Sequence, residues 1–416
     1  MKKVLVIGSG GREHAIVYQL SRSPQVDKIF CAPGNAGIAQ LAECVAIADT
    51  DVEQLLRFAQ EKQIDLCVVG PEAALAAGIT DAFREAGIPV FGHTKAATQI
   101  EASKEFAKQL MAKHHVPTAA YRSFDEYESA IAYVRIRNTY PTVLKYDGLA
   151  AGKGVVIAQD EQEAELTLRD MLVGEAFGKG KVVIEDYLEG PEFSFMAFVD
   201  HHRVYPMPLS QDHKRAYDGD KGPNTGGMGA YTPLPFISAE EEQWALEHIL
   251  LPVADAMVEE GKPLTGVLYG GLMKTADGIK VIEFNARFGD PETEVVLPLM
   301  ETDAYTVFHA ISVGAILDNI AWRKQAIVGV VMASCGYPGT YTKGAEISGV
   351  DDFDGLVLQM GTKRTEGRLV TNGGRVLMCI AHGEDIRSAQ QKVYAEMSKI
   401  HCSNLFYRKD IAHWAL

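Results

Sequence analysis

Glu283, Asn285 and Arg287 fall at alternate positions of Glu283-Phe284-Asn285-Ala286-Arg287, so an extended chain puts all three on one face. A carboxylate and an amide oxygen two residues apart are hard ligands suited to magnesium, with room left for water and phosphate oxygens. A structural ion-pair network is the alternative. A second stretch, Thr142 to Ala158, reads as strand, small-residue loop, strand. Lys145 closes the first strand, and Gly148, Gly152, Lys153 and Gly154 fill the loop. Such a loop lets backbone N–H groups approach a ligand, and its lysines suit anionic oxygens. The reading is a phosphate clasp, with an ordinary glycine-rich hairpin as the alternative. It is not a P-loop: one residue too few separates Gly148 from Gly152, Gly154 stands where Ser or Thr would ligate a metal, and a strand follows.

Other loops carry related chemistry. Gly8-Ser9-Gly10-Gly11-Arg12-Glu13 tempts a dinucleotide reading, but Glu13 occupies the third glycine position. The next strand also runs into Pro33-Gly34-Asn35 instead of ending in an acid. What remains is a glycine turn feeding a helix N-terminus with Arg12 beside it, a seat for one phosphate, or else a structural turn. Gly222 to Ala230 is another glycine-rich loop, led by Asp212-His213-Lys214-Arg215. Alternation in Glu192-Phe193-Ser194 sets Glu192 and Ser194 on a common face. Lys104 alone would pass for a solvated helix lysine. The twelve histidines show no metal-like spacing, and no nucleophile–base arrangement is required.

The elements that must position these groups follow from periodicity. Apolar runs at 4–7, 28–32, 44–48, 66–69 and 89–91 alternate with helical patterns at 52–62 and 79–86, which implies a parallel sheet with ligand loops at its carboxyl edge. Tyr269–Met273 and Lys280–Phe284 form a hairpin across Asp277-Gly278. Ser238 and Glu241 begin a capping box, and Leu246, Ile249, Val253 and Met257 stripe the helix that follows. With 416 residues, two to four domains are expected. The balance of 40 basic and 55 acidic residues, net −15, argues against nucleic acid or an anionic membrane as partner. No stretch has the length of a membrane span. Six scattered cysteines without a CxxC pair fit reduced thiols and a cytoplasmic setting.

Gly10-Gly-Arg-Glu-His-Ala15, Ala32-Pro-Gly-Asn-Ala-Gly37, Lys145 through Val155, Gly222 through Tyr231, Glu283 through Thr293 and Thr371 through Leu377 together resemble the ATP-grasp superfamily. Within it they are similar to the phosphoribosylamine–glycine ligase family. The resemblance implies an N-terminal α/β substrate domain (1–100), a two-subdomain ATP-grasp core (101–325, flap about 120–190) and a small α+β C-terminal domain (326–416). It implies ATP and Mg2+ (or Mn2+), with glycine and 5-phosphoribosylamine as substrates in purine biosynthesis; another carboxylate–amine ligase is the alternative. Carried over by position, Lys104, Lys145, Gly152 and Gly154 would attend the phosphates, Glu185 and Leu188 the adenine, and Glu192 the ribose. Glu283 and Asn285 would hold the metal, with Gly271 standing where a further acid might be expected. Gly10, Gly11, Arg12, Glu13, Gly34, Asn35 and Glu72 would receive the ribosylamine. Asp212, Lys214, Gly226, Gly227, Gly229 and Arg287 would surround glycine and the transferred phosphoryl group. A monomer is expected.

Overall fold

The computed structural model describes residues 1–148, 154–174 and 176–416. At its N-terminal end, five parallel strands stand in the order Glu43–Cys44, Val26–Pro33, Lys2–Gly8, Leu66–Val69, Val90–Phe91. The first runs of hydrophobic residues therefore form the expected sheet, with helices Gly11–Ser21, Val52–Lys62 and Ile79–Glu85 between strands. The edge strand is shorter than the 44–48 run suggests. Val45 N–H still reaches the Cys31 carbonyl, but Ile47 N–H then bonds back to Val45 O at 2.7 Å, a tight turn that ends the pairing.

Two antiparallel sheets follow. The smaller, with order Tyr121–Phe124, Val182–Asp186, Thr142–Tyr146, Val155–Ala158, buries its apolar face on helices Tyr127–Arg137 and Glu161–Leu172. The larger has order Arg203–Pro206, Glu192–Asp200, Thr265–Thr275, Gly278–Asn285. Its last pair is the expected hairpin, with one irregularity. Gly271 faces Glu283 while Leu272 faces Val281, so Ile282 is the extra residue of a bulge and its carbonyl leaves the ladder. The Ser238–Glu241 capping box is present. Of the stripe that follows it, Ile249, Val253 and Met257 are fully buried and Leu246 packs partly buried against the same core.

The last sheet, order Gln211–Asp212, Gly229–Thr232, Ala326–Ser334, Arg375–Gly383, Leu356–Gln359, crosses the division expected near residue 325. Gly229–Thr232 pairs antiparallel with Ile327–Val330, so the 212–232 loop is built on the C-terminal sheet. A cluster of Phe91, Phe198, Phe288 and Phe308, ring centroids 4.8 to 6.1 Å apart, joins the N-terminal sheet to the larger antiparallel one. It pins Phe288, and with it the Arg287 backbone, between the two. Among the described residues, no helix is long and apolar enough to cross a membrane. The six cysteines are all unpaired.

Candidate active site

One carboxylate, Glu283, lies in a field of four cations. Burial works against its ionisation, yet Lys214, Lys145, Lys104 and Arg287 together hold it below the usual carboxylate range. Each cation is placed by a local device. Lys104 opens the helix Lys104–Lys113, capped by Ser103, whose hydroxyl accepts from Phe106 N–H. Asp147 from the small sheet accepts a bond from Glu105 N–H at 3.1 Å, and Lys104 Nζ donates to Gly148 O at 3.0 Å. Lys145 is buried and donates to the carbonyl of Ile282 at 2.9 Å, the group the bulge set free. Its Nζ is also 2.9 Å from Glu185 Oε1. Lys108, which sequence reasoning passed over, sits 2.7 Å from the other Glu185 oxygen. Burial, partly offset by Glu185, brings Lys108 down to about 8.

Arg287 faces Glu101 Oε1 at 3.1 Å and Glu72 Oε2 at 3.4 Å, and donates to Asn285 Oδ1 at 3.2 Å. Asn285 is buried beside Glu283. Among the described residues, no group of three or more His, Cys, Asp or Glu could hold a metal by itself. One carboxylate and one amide oxygen in a cationic surround suit Mg2+, which keeps water and phosphate oxygens in its shell. The donor set fits that ion and gives no sign of a softer one.

Beyond this centre, Lys214 Nζ binds Glu192 Oε2 at 2.7 Å. Burial opposes the Lys214 charge, but Glu192 and Asp212 hold it well above the ordinary lysine range. Asp212 is pushed up to about 7 by burial, restrained by Lys214 and raised further by Glu292 and Glu192. Glu292 is itself fixed by Ser194 Oγ at 2.9 Å and Tyr269 OH at 2.7 Å. So carboxylates and cations alternate here, a charge pattern complementary to a small zwitterion. Leu188 is half-buried just past the strand Val182–Asp186, between the two antiparallel sheets. Gly152 lies outside the described residues; Gly154 accepts Tyr146 N–H at 2.8 Å.

A polar cleft of about 330 Å³ opens at the carboxyl edge of the parallel sheet, lined on one side by Ser9, Gly10, Gly11, Gly34 and Asn35. The opposite wall comes from Asp290 and from the C-terminal segments 360–362 and 372–375. Gly11 starts an 11-residue helix, so backbone N–H groups and the helix dipole face this cleft. The side chains beside it behave differently from the expectation. Arg12 turns into the interior, its Nε 2.6 Å from Glu13 Oε1 and its Nη1 3.2 Å from Phe288 O. Glu13 acts as a plug: it accepts Gly10 N–H at 2.6 Å and fills the space a side chain at Gly70 would need, where a Cβ would lie 2.0 Å from its Oε1. Asn35 spends its amide on Ser9 O and Gln359 O and its oxygen on Gly37 and Ile38 N–H, which leaves the backbone at Gly34–Asn35 to face the cleft.

Arg375 binds Asp290 at 2.8 Å and the Gly226 carbonyl at 2.7 Å. Gly227 packs on Pro291, leaving 2.4 Å to Pro291 Cδ for any Cβ. The 226–229 loop thus joins the cleft to the cationic centre. Asp290, Glu292, Glu101, Tyr269 and Arg375 were not singled out by sequence reasoning. The strings that contain the first two and the last are visible in the sequence, but their partners lie 23 to 149 residues away.

Family models described as phosphoribosylglycinamide synthetase N domain, ATP-grasp (A) domain and C domain match residues 2–101, 102–293 and 327–414. A phosphoribosylamine–glycine ligase of Halalkalibacterium halodurans is 51% identical over 99% of this chain and 97% of its own. That of Pseudomonas aeruginosa is 49% identical over 99% and 98%. The crystal structure of phosphoribosylamine–glycine ligase from Thermotoga maritima superposes with a TM-score of 0.88 at 33% identity, covering 99% of this chain and 100% of that one. A biotin carboxylase from Campylobacter jejuni shares the fold at TM-score 0.76 and 14% identity, over 98% and 93% of the two chains. With all three of its domains matched and half its residues identical to such relatives, this chain belongs to the phosphoribosylamine–glycine ligase family of ATP-grasp proteins.

Proposed function

We propose that this chain joins glycine to 5-phosphoribosylamine at the expense of ATP, giving glycinamide ribonucleotide, ADP and phosphate. The observation that carries the reading is the ring of Lys104, Lys145, Lys214 and Arg287 around Glu283, next to a cleft floored by a helix N-terminus. The first is built for a polyphosphate meeting a carboxylate, the second for a single phosphate.

A glycine carboxylate is a poor electrophile, because its charge repels an attacking amine. Transfer of a phosphoryl group to one of its oxygens gives an acyl phosphate with a leaving group. The ribosyl amine then attacks the acyl carbon: the C–N bond forms, the C–O bond to phosphate breaks, and the amine releases a proton. Two anions must meet in the first step, so the chain's task is positioning and charge neutralisation. Lys104 and Lys145 leave Gly148 O and Ile282 O for phosphate oxygens. Lys214 and Arg287 hold the glycine carboxylate, while Asp212 faces its ammonium group. Mg2+, or Mn2+ in its place, would sit at Glu283 and Asn285 and supply charge neutralisation to the phosphoryl oxygens. Leu188 and the Glu185 backbone border the adenine, and Glu192 exchanges Lys214 for the ribose hydroxyls. Gly11 offers its backbone N–H at the helix N-terminus to the ribosylamine phosphate, Gly10 and Gly34 keep side chains out of its path, and the 226–229 loop closes the passage between the two regions against water. The arrangement works as a monomer in the cytoplasm.

The test is to mix the protein with ATP, Mg2+, glycine and freshly made phosphoribosylamine and measure ADP. Release that requires both other substrates is expected. ADP formation indifferent to either one would overturn the assignment.

A further inference from the structure

His213 stands between Asp212 and Lys214, and extended backbone sends its side chain to the opposite face. There it is almost fully buried, with Nε2 accepting Ala412 N–H at 2.9 Å and its ring 5.2 Å from that of His413. The rest of the 213–220 segment is held from the same direction. Asp220 meets Arg408 Nη2 at 2.9 Å, His413 Nε2 at 3.2 Å and Trp414 Nε1 at 3.1 Å. Gly219 N–H donates to Asp410 at 2.7 Å, Lys409 N–H to Asp218 at 2.7 Å, and Arg408 Nη1 to Arg215 O at 3.1 Å. Arg408 is fully buried, and Asp410 pairs with both its Nε and Nη2 at 2.8 Å. The 408–412 segment is fixed in turn by the helix Ile386–Met397: Tyr394 OH donates to Arg408 O and accepts Ile411 N–H, and Gln390 donates to Ile411 O. Ile411 also lies against Gly229, where a Cβ would come within 2.9 Å of it.

We propose that the Arg408–Trp414 segment is a clamp that positions Asp212 and Lys214 for glycine, acting through His213 and Asp220. The inference rests on the assignment of glycine to these two residues. Physically, 212–220 is a short strand and loop whose other contacts are largely backbone bonds to 224–231. Those bonds set which face each side chain takes, but the strand is the outermost of its sheet. Anchoring His213 from behind holds it there and keeps the Asp212 and Lys214 side chains before Glu192 and Glu292. His213, Asp220 and Arg408 are thus positioning residues, and none of them is bonded to the phosphate-binding Lys104 or Lys145.

The test compares wild type with Asp220→Asn and with a chain ending at Ala412, which lacks His413 and Trp414. Three readouts are taken: deuterium uptake by the 213–220 amides, the KM for glycine, and calorimetric binding of a non-hydrolysable ATP analogue. Uptake should accelerate at least tenfold and the glycine KM rise at least tenfold, with analogue affinity within twofold of wild type. Asp220→Glu should recover most of the glycine KM. Unchanged uptake refutes the clamp whatever the substrate proves to be. Faster uptake with an unchanged glycine KM, or a parallel loss of nucleotide affinity, overturns the positioning role. If Asp220→Asn fails to fold, Trp414→Phe, at an exposed ring, must show the same pattern in smaller measure. Wild type with no glycine-dependent turnover would instead refute the functional assignment, while leaving the exchange result to judge the clamp.

Discussion

Two histidines at the seams of the N-terminal sheet make the protein's stability fall on acidification in a calculable way. His93 is fully buried; its Nδ1 accepts Thr265 N–H at 2.9 Å and its Nε2 lies 2.8 Å from Val267 O. His14 is buried with Nδ1 accepting Gln359 N–H at 2.8 Å. Both rings must be neutral to make these bonds, and each bond ties the first hundred residues to another part of the chain. Burial lowers each from an ordinary 6.5 to about 4. The sign follows directly. The unfolded chain binds these protons below about pH 6.5 and the folded chain resists them until pH 4, so the stabilisation is complete above 6.5 and is lost as pH falls toward 4. At pH 5 each site costs about 2 kcal/mol, and the pair about 4 kcal/mol, a large share of a typical domain's 5–15 kcal/mol.

The measurement is urea unfolding of wild type and of His14→Gln/His93→Gln at pH 7 and pH 5. The double variant should be less stable at pH 7 but lose roughly 4 kcal/mol less between the two pH values. Wild-type imidazole resonances followed by NMR should show these two rings neutral at pH 5.5. Equal acid losses in the two proteins, or either ring titrating near 6.5, would refute the reasoning.

Other expectations concern the site. Glu283→Ala should abolish ADP formation, by at least ~10³-fold in kcat even at saturating Mg2+; near-normal turnover would remove Glu283 from the metal position. Arg12→Ala strips a buried partner from Glu13, so it should cost about 3 kcal/mol in stability; a rise in the ribosylamine KM with little effect on ATP would come through Glu13 and Gly10 at the cleft, and unfolding curves and substrate titrations separate the two. Asp212 at about 7 predicts a glycine KM that climbs up to tenfold per unit as pH falls below 7, and a flat profile in Asp212→Asn. Glu294 is fully buried with neither oxygen hydrogen-bonded; burial, then Asp290, pushes it well above the carboxylate range. Glu294→Gln should therefore raise Tm more at pH 9 than at pH 6, and a uniform or negative shift would disprove a protonated Glu294.

How much of this could be read from the chain depends on how far apart in sequence the cooperating groups lie. Helix 52–62, the strands of the parallel sheet and the 265–285 hairpin rest on local periodicity and turn residues, and they were legible. Alternation alone likewise sets Glu283 and Asn285 on one face. The bulge at Ile282 was not legible, because it depends on which residue of the facing strand pairs with which. Yet that bulge supplies the carbonyl that holds Lys145. Glu13 shows the same limit from the other side: the sequence revealed a departure from a glycine motif, while the reason, a carboxylate filling the space above Gly70, needs the packing of three loops. Arg375 with Asp290, and Arg408 with Asp220, join positions 85 and 188 residues apart, beyond the reach of any periodicity.

These long-range pairs share a location. Lys145 meets Ile282, Arg12 meets Phe288, His14 and Asn35 meet Gln359, and Arg375 meets Gly226: each joins segments matched by different domain models or, for Lys145, different sheets. In an isolated domain these polar groups would bond to water instead, so each seam bond adds a net contribution of about 1 kcal/mol. The polar cleft exists only where those seams close, so what holds the domains together also builds the cleft. Substitutions at the seams should then lower affinity before they unfold the protein, whereas substitutions in the aromatic cluster around Phe198 should do both at once.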